Sequence, residues 1–255
     1  MISKTKIKYY ALLKKKKFRK SEKKFLVEGK RLIDEGLKSS FKCDRIFITE
    51  AFNKTEKNFV SKISKQKIPI SIIPLYNLLK LCSTKSPQEI VAVFNIKPNN
   101  NKLVKSKHII ALENISDPGN VGTILRTCDW FGIKNVLLSK TCAEIYNPKV
   151  LRASMGAVFN INIINDINLI EELKLLKNKG YQIFFTDTTG ENYKKFFWNN
   201  KSVITFSNEA NGPTEELKTL CNNGLTIPKK GKIESLNVAA AASIIIAELE
   251  LKHFS

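Results

Sequence analysis

Short apolar runs recur along this chain, and most are followed by a stretch with helical spacing. Phe25-Leu26-Val27, Arg45–Ile48, Ile70–Ile73 and Ile90–Phe94 read as strands, with helices expected over Arg31–Leu37 and Glu50–Ile63. Further on the alternation becomes more regular. Strands are expected at Ile109–Leu112, Val136–Leu138, Ile161–Ile164, Tyr181–Phe185, Val203–Phe206 and Leu225–Ile227. Helices are expected over Gly119–Phe131, Pro148–Ala153, Asn168–Asn178 and Leu236–Leu251, with another opening at Pro213. Pro148 suits a first helical turn, and Gly180 suits a helix end. Apolar strands alternating with helices predict an α/β fold with a mostly parallel sheet.

The two regions are separated by a polar stretch carrying Pro98 and three successive asparagines, Asn99, Asn100 and Asn101. We expect a small α/β domain over 1–97, a linker over 98–108 and a larger α/β domain over 109–255. No internal repeat is visible.

Composition narrows the function. Of 255 residues 43% are hydrophobic, enough for a real core, and no apolar run reaches membrane-spanning length. The N-terminus is lysine-rich but lacks the apolar stretch of a signal peptide, so a cytoplasmic location is the default expectation. The five cysteines are widely spaced with no C-x-x-C pair, and there are two histidines, which argues against a zinc site or a disulfide framework. The 43 Lys and Arg against 23 Asp and Glu give a net charge of +20, which attracts polyanions by counterion release. Abundant Lys, Asn and Ile also suggest an AT-biased genome, which raises lysine content without function. The densest basic run is Lys14, Lys15, Lys16, Lys17, Arg19 and Lys20, followed by Lys23 and Lys24.

Three segments carry candidate chemistry. Asp117-Pro118-Gly119-Asn120 delivers the chain into a helix on which Arg126 could clamp a phosphate. The plainer reading is a strand-to-helix turn with Asn120 as N-cap and Arg126 as a surface charge. Phe206-Ser207-Asn208-Glu209 through Gly212 runs from a buried strand into a polar loop, where Glu209 either meets a ligand or caps the next helix. Ile227-Pro228, Gly231 and Glu234-Ser235-Leu236-Asn237-Val238-Ala239 form a glycine turn and a polar helix start. A cap by Ser235 or Asn237 explains one polar residue there and leaves the crowding of Glu234, Ser235 and Asn237 unexplained.

Taken together, the segments resemble the SpoU (TrmH-like) branch of the SPOUT RNA methyltransferases. That family carries N-x-x-D-P-x-N-x-G-x-x-x-R, then G-x-E-x-x-G, then I-P-M-x-G-x-x-x-S-L-N-V-A. Asn114, Asp117, Pro118, Asn120, Gly122 and Arg126 match the first motif, and Glu209 and Gly212 the second. Ile227, Pro228, Gly231, Ser235, Leu236, Asn237, Val238 and Ala239 match the third. Ser207 stands where the family often has glycine, and Lys229 where methionine is common. The N-terminal part resembles the family's ribosomal RNA substrate-binding domain through Phe25–Gly29 (F-x-x-E-G) and Ser86–Ala92 (S-P-Q-G-x-x-A), with Glu89 in place of glycine.

The resemblance implies a C-terminal domain with a deep trefoil knot that binds S-adenosylmethionine, and methyl transfer to a ribose 2'-hydroxyl of RNA, with 23S ribosomal RNA favoured. Cofactor contacts would come from Thr186, Asp187, Thr188, Gly190, Phe206, Ser207, Asn208, Glu209, Gly212, Ile227, Leu236, Asn237 and Ala239. Asn120, Arg126, Glu209, Ser235 and Asn237 would form the catalytic set, with Arg126 holding a phosphate and stabilising the developing alkoxide. The basic residues Lys14–Lys17, Arg19, Lys23 and Lys24, with Arg126, would meet RNA. A homodimer and no metal are implied. A transfer RNA substrate, or a non-catalytic RNA-binding ribosome assembly factor of the same fold, are the alternatives.

Overall fold

The computed structural model describes residues 2–98, 102–196, 198, 200–221 and 223–251. Of the expected linker, residues 99–101 lie outside the described residues.

The chain divides into two compact units. The first comprises Met1–Pro98 together with Tyr146–Phe159, and the second Asn99–Ile145 together with Asn160–Ser255.

In the first unit the elements are α1 (Lys4–Leu12), α2 (Lys16–Glu22), β1 (Lys24–Glu28), α3 (Lys30–Lys38), β2 (Cys43–Ile48), α4 (Glu50–Thr55), α5 (Lys57–Ser64), β3 (Ile70–Ile72), α6 (Leu75–Leu81) and β4 (Ile90–Asn95). The strands form one sheet in the order β1-β4-β2-β3, antiparallel except for the β2/β3 pair. Because side chains alternate along a strand, β1 serves two cores. Leu26 joins Ile7 and Tyr10 of α1 and Leu78 and Leu81 of α6. Phe25 joins an aromatic cluster with Phe94, Phe41, Tyr146 and Phe159; its ring centroid lies 4.5 Å from that of Tyr146. Gly36 of α3 sits against this cluster, where a Cβ would fall 2.6 Å from Phe94 Cζ.

The expected helix over Glu50–Ile63 is two helices. Thr55 bonds back to the carbonyls of Ala51 and Phe52, and Glu56 leaves helical geometry at φ −112°, ψ 37°. Helices α1 and α6 were not expected. In α1 only Ile7 and Tyr10 are buried among its lysines, so its apolar stripe is too sparse to read.

The chain then continues through β5 (His108–Glu113), α7 (Pro118–Trp130) and β6 (Asn135–Ser139). Helices α8 (Pro148–Ser154) and α9 (Ala157–Asn160) lie in the return segment, where Tyr146 and Phe159 enter the aromatic cluster. After them come β7 (Asn162–Ile167), α10 (Leu169–Asn178), β8 (Gln182–Asn192), β9 (Ser202–Ser207), α11 (Glu215–Leu220), β10 (Asn223–Thr226) and α12 (Val238–Leu251).

The second unit's sheet has the order β10-β8-β9-β5-β6-β7 with parallel pairing throughout. Strands covered on both faces need apolar side chains in both directions. β5 accordingly sends Ile109 and Ala111 toward Leu173 and Leu176 of α10 and Leu217 of α11, while Ile110 and Leu112 are buried on the opposite face. α12 packs on α7 and on β9. Strand β8 is longer than the expected Tyr181–Phe185. It pairs with β10 through Phe185↔Gly224, leaves the ladder over residues 186–190, and resumes at Glu191↔Leu225. Parallel pairing places the carboxyl ends of β5, β8, β9 and β10 on one edge of the sheet, the edge that binds ligands in open α/β proteins.

Candidate active site

At the end of β5 the chain turns through Asn114 at φ +57°, a left-handed conformation that asparagine tolerates. Asp117 then caps α7, its carboxylate accepting from the Gly119 amide at 2.7 Å and the Asn120 amide at 3.0 Å. The cap is therefore Asp117 rather than Asn120, because the shorter turn to Pro118 at the first helical position brings Asp117 to the N-terminus. This frees the Asn120 side chain, which donates to Glu209 Oε1 at 3.1 Å.

Glu209 sits in the loop after β9. Asn208 organises that loop, its side chain accepting from the Ala210 amide at 2.8 Å and its carbonyl from the Gly212 amide at 2.8 Å. Gly212 supplies the positive φ of +64°. Glu209 does not cap α11, which is capped by Thr214. Its Oε1 instead accepts from the backbone amide of Val238 at 3.0 Å, at the start of α12. A carboxylate at a helix N-terminus is stabilised by the helix dipole.

The third segment completes the group. Asn237 caps α12, its Oδ1 accepting from the Ala239 and Ala240 amides at 3.0 and 3.3 Å. Its side-chain amide donates to Asn120 Oδ1 at 3.0 Å and to Glu209 Oε1 at 3.3 Å. One carboxylate oxygen thus gathers the starts of α7 and α12 and the loop after β9. The three segments singled out in the sequence meet at Glu209.

Other expected residues do not join this bonded group. Arg126 and Ser235 are exposed and stand outside the bonded group. Leu236 is 40% and Ile233 65% exposed, so the loop before α12 offers apolar side chains to a ligand. Residues 186–190 form the excursion from β8. There Asp187 accepts from the Thr188 amide at 2.6 Å, and the Thr188 carbonyl accepts from the Thr226 hydroxyl at 3.2 Å. Gly190 lies so close to Gly224 that a Cβ would fall 2.5 Å from the Gly224 carbonyl oxygen. A cleft of about 290 Å³ opens beside them, lined by Phe185, Thr189, Gly190, Glu191, Asn223 and Gly224. The Phe206 side chain is fully buried within the sheet and can offer a ligand only backbone. The Ser207 hydroxyl is buried and donates to Glu113 at 2.9 Å.

Sequence reading missed Glu113. It is a buried acid that ends an apolar strand, and that placement was the only available signal.

In the first unit the two N-terminal motifs also meet. Glu28 Oε1 accepts from the Ser83 amide at 2.7 Å, and Oε2 from the Thr84 amide and hydroxyl at 3.3 and 2.9 Å. Gln88 Oε1 accepts from the Lys30 amide at 3.0 Å, just past Gly29. Glu89 adopts φ +57° where the family motif has glycine, and it accepts a bond from the Thr49 hydroxyl. Arg152 donates to Ser83 Oγ from the return segment.

Lys14–Lys17 and Lys23 are exposed, as an RNA-facing role requires. Lys24 is half-buried and pairs with Asp44 at 3.0 Å. Arg19 is corrected: it is only 3% exposed and donates to the Leu13 and Lys14 carbonyls at 2.9 and 2.7 Å, bracing the turn between α1 and α2. Among the described residues no group of His, Cys, Asp or Glu side chains could hold a metal ion, and no helix is long and apolar enough to cross a membrane.

Residues 107–247 match the SpoU rRNA Methylase family, and residues 4–92 match the MRM3-like substrate binding domain. The chain is 30% identical over 245 residues to the 23S rRNA (guanosine(2553)-2'-O)-methyltransferase RlmP of Bacillus subtilis, covering 96% of this chain and 95% of that one. A TrmH-family protein from Porphyromonas gingivalis shares its fold with a TM-score of 0.88 at 30% identity, over 99% of both chains. The SpoU methyltransferase AviRb of Streptomyces viridochromogenes, solved with its cofactor AdoMet, has a TM-score of 0.89 at 21% identity, again over 99% of both chains. With both halves matched and the three motif segments joined at Glu209, this chain belongs to the SpoU rRNA Methylase family.

Proposed function

We propose that this protein transfers a methyl group from S-adenosylmethionine to a ribose 2'-hydroxyl of RNA, with 23S ribosomal RNA as the substrate. The observation that carries this reading is the convergence of Asn120, Asn237 and the Val238 amide on Glu209 Oε1 at the carboxyl edge of the parallel sheet. The ribosomal assignment is supported by the name of the Bacillus subtilis relative and by the match to a substrate-binding domain over residues 4–92.

The residues present suit the cofactor. The excursion within β8 and the loops after β9 and β10 offer backbone polar groups, the apolar side chains of Ile227 and Leu236, and the Glu209 carboxylate, which favours a cationic ligand. When bound, S-adenosylmethionine supplies an electrophilic methyl group. Asn120, Glu209 and Asn237 fix the segments after β5, β9 and β10 against one another. A ribose hydroxyl is a weak nucleophile until its proton is drawn away, and as the O–CH3 bond forms the S–CH3 bond would break, leaving a neutral thioether while the proton passes to solvent. The role of Arg126, a guanidinium with a fixed fork of donors, is to hold an adjacent phosphate and stabilise the negative charge that grows on the attacking oxygen.

Helix geometry bears on where Arg126 acts. Six residues along α7 set it about 9 Å from Asn120 and about 120° around the axis. It shares a face with Trp130, one turn further on, which is 83% exposed. Ile244 and Leu251 are exposed on the neighbouring α12, at 38% and 51%. An apolar face next to a free arginine supports a homodimer in which Arg126 serves the partner subunit's site. A cytoplasmic location accords with an RNA substrate.

The test is a methyl-transfer assay with labelled S-adenosylmethionine and unmodified total RNA, resolved by size. Label at one alkali-resistant ribose of the large ribosomal RNA is the expected result. Label in transfer RNA overturns the substrate, and absence of both label and cofactor binding overturns the reaction.

A further inference from the structure

Glu113 ends the central strand β5, is 4% exposed, and belongs to none of the three motif segments. It makes three bonds, all to the loop that carries Glu209. Oε2 accepts from the Ser207 hydroxyl at 2.9 Å and the Thr214 amide at 3.2 Å, and Oε1 from the Thr214 hydroxyl at 2.6 Å. Ser207 and Thr214 bracket that loop. Thr214 also accepts from the Leu217 amide at 3.3 Å, so its proton is directed at Glu113 while its lone pairs cap α11. All three partners donate, so the Glu113 side chain serves here only as an acceptor. A buried carboxylate is costly unless satisfied in this way.

We propose that Glu113 is a positioning residue for the active site: it staples both ends of the loop between Ser207 and Thr214, and so sets Glu209 where Asn120, Asn237 and the Val238 amide can reach it. What the site binds rests on the function proposed above; the staple itself does not. Glu113 touches no substrate and acts through Glu209. Ser207 adds to the staple a hydroxyl that glycine at this position could not supply.

Glu113→Gln tests this, because an amide nitrogen replaces one acceptor oxygen and opposes a donor. We expect the KM for S-adenosylmethionine to rise about tenfold, with kcat at saturating cofactor within about threefold and the KM for RNA unchanged. Hydrogen exchange at amides 208–212 should accelerate while β5 and β9 stay protected. Ser207→Ala should act in the same direction but less, and non-additively with Glu113→Gln. If Glu113→Gln does not fold, Ser207→Ala and Thr214→Val report the same quantities. Unchanged cofactor KM and unchanged exchange overturn the proposal. So does a loss of kcat and of affinity for both substrates in step with a falling Tm, which marks general destabilisation. Should the wild-type protein bind no S-adenosylmethionine, the cofactor assignment fails, and the exchange measurement still decides whether Glu113 holds the loop.

Discussion

Asn237 donates its side-chain amide to Asn120 Oδ1 at 3.0 Å, joining the first turn of α12 to that of α7 across 117 residues of chain. The same amide group reaches Glu209, and the carbonyl of the same side chain caps α12. One asparagine therefore has both a structural and a site-forming role.

Asn237→Ala removes the cap and both site bonds. Loss of the cap should cost about 1 kcal/mol of stability, read from denaturant unfolding. The dissociation constant for S-adenosylmethionine, measured by calorimetry, should rise roughly tenfold. Unchanged affinity would remove Asn237 from the cofactor site.

Arg126→Ala should behave differently. The side chain is exposed and on another face of α7 from Asn120, so cofactor affinity should hardly change while kcat falls on the order of 100-fold. Parallel loss of both quantities means that Arg126 supports binding and not the transfer step.

The basic N-terminus divides into two kinds of residue. Replacing Lys15, Lys16 and Lys17 together by Ala should weaken RNA binding and lower the slope of log K against log salt by about two. Arg19→Ala should leave that slope alone and destabilise the first unit by about 1.5–3 kcal/mol, because it strips a donor from the buried Leu13 carbonyl and another from the half-buried Lys14 carbonyl. A large drop in slope for Arg19→Ala would restore it as an RNA contact.

Glu28→Ala should destabilise the first unit by about 2–4 kcal/mol, since Ser83 and Thr84 lose their acceptor and Arg152 loses a nearby carboxylate. A stability within experimental error of wild type would refute the idea that the F-x-x-E-G acid is a structural clasp.

The cysteines give a pH-linked prediction. Burial pushes the thiols of Cys43, Cys82 and Cys221 up to about 12. Raised values keep the folded thiols protonated well above pH 8, where unfolded cysteines begin to ionise. Thiol reagents at pH 8 should therefore label the native protein slowly and the denatured protein quickly. Rapid labelling of the native state contradicts this.

The alternation of apolar strands with helices made the parallel sheet legible, because strands buried on both faces leave a strong signal. The site was legible in parts. Asn120, Glu209 and Asn237 stood in recognisable spacings, yet nothing local says that their side chains converge on one oxygen. Glu113 could not be assigned, since a strand-ending acid is ordinary until its partners 94 and 101 residues later are known. Arg19 was misread for a similar reason. In a lysine run its charge suggests solvent, and only the turn between α1 and α2 shows that its guanidinium faces inward.

The aromatic cluster of the first unit has an architectural consequence. Phe25 and Phe94 are completed by Tyr146 and Phe159, which the chain supplies only after building part of the other unit. The N-terminal half is thus not a detachable cassette. A fragment cut near residue 98 would carry an unfinished aromatic face and tend to aggregate. A chimera that exchanges this unit between relatives would have to transplant two separate pieces of sequence, with residues 146–159 travelling alongside the first 98.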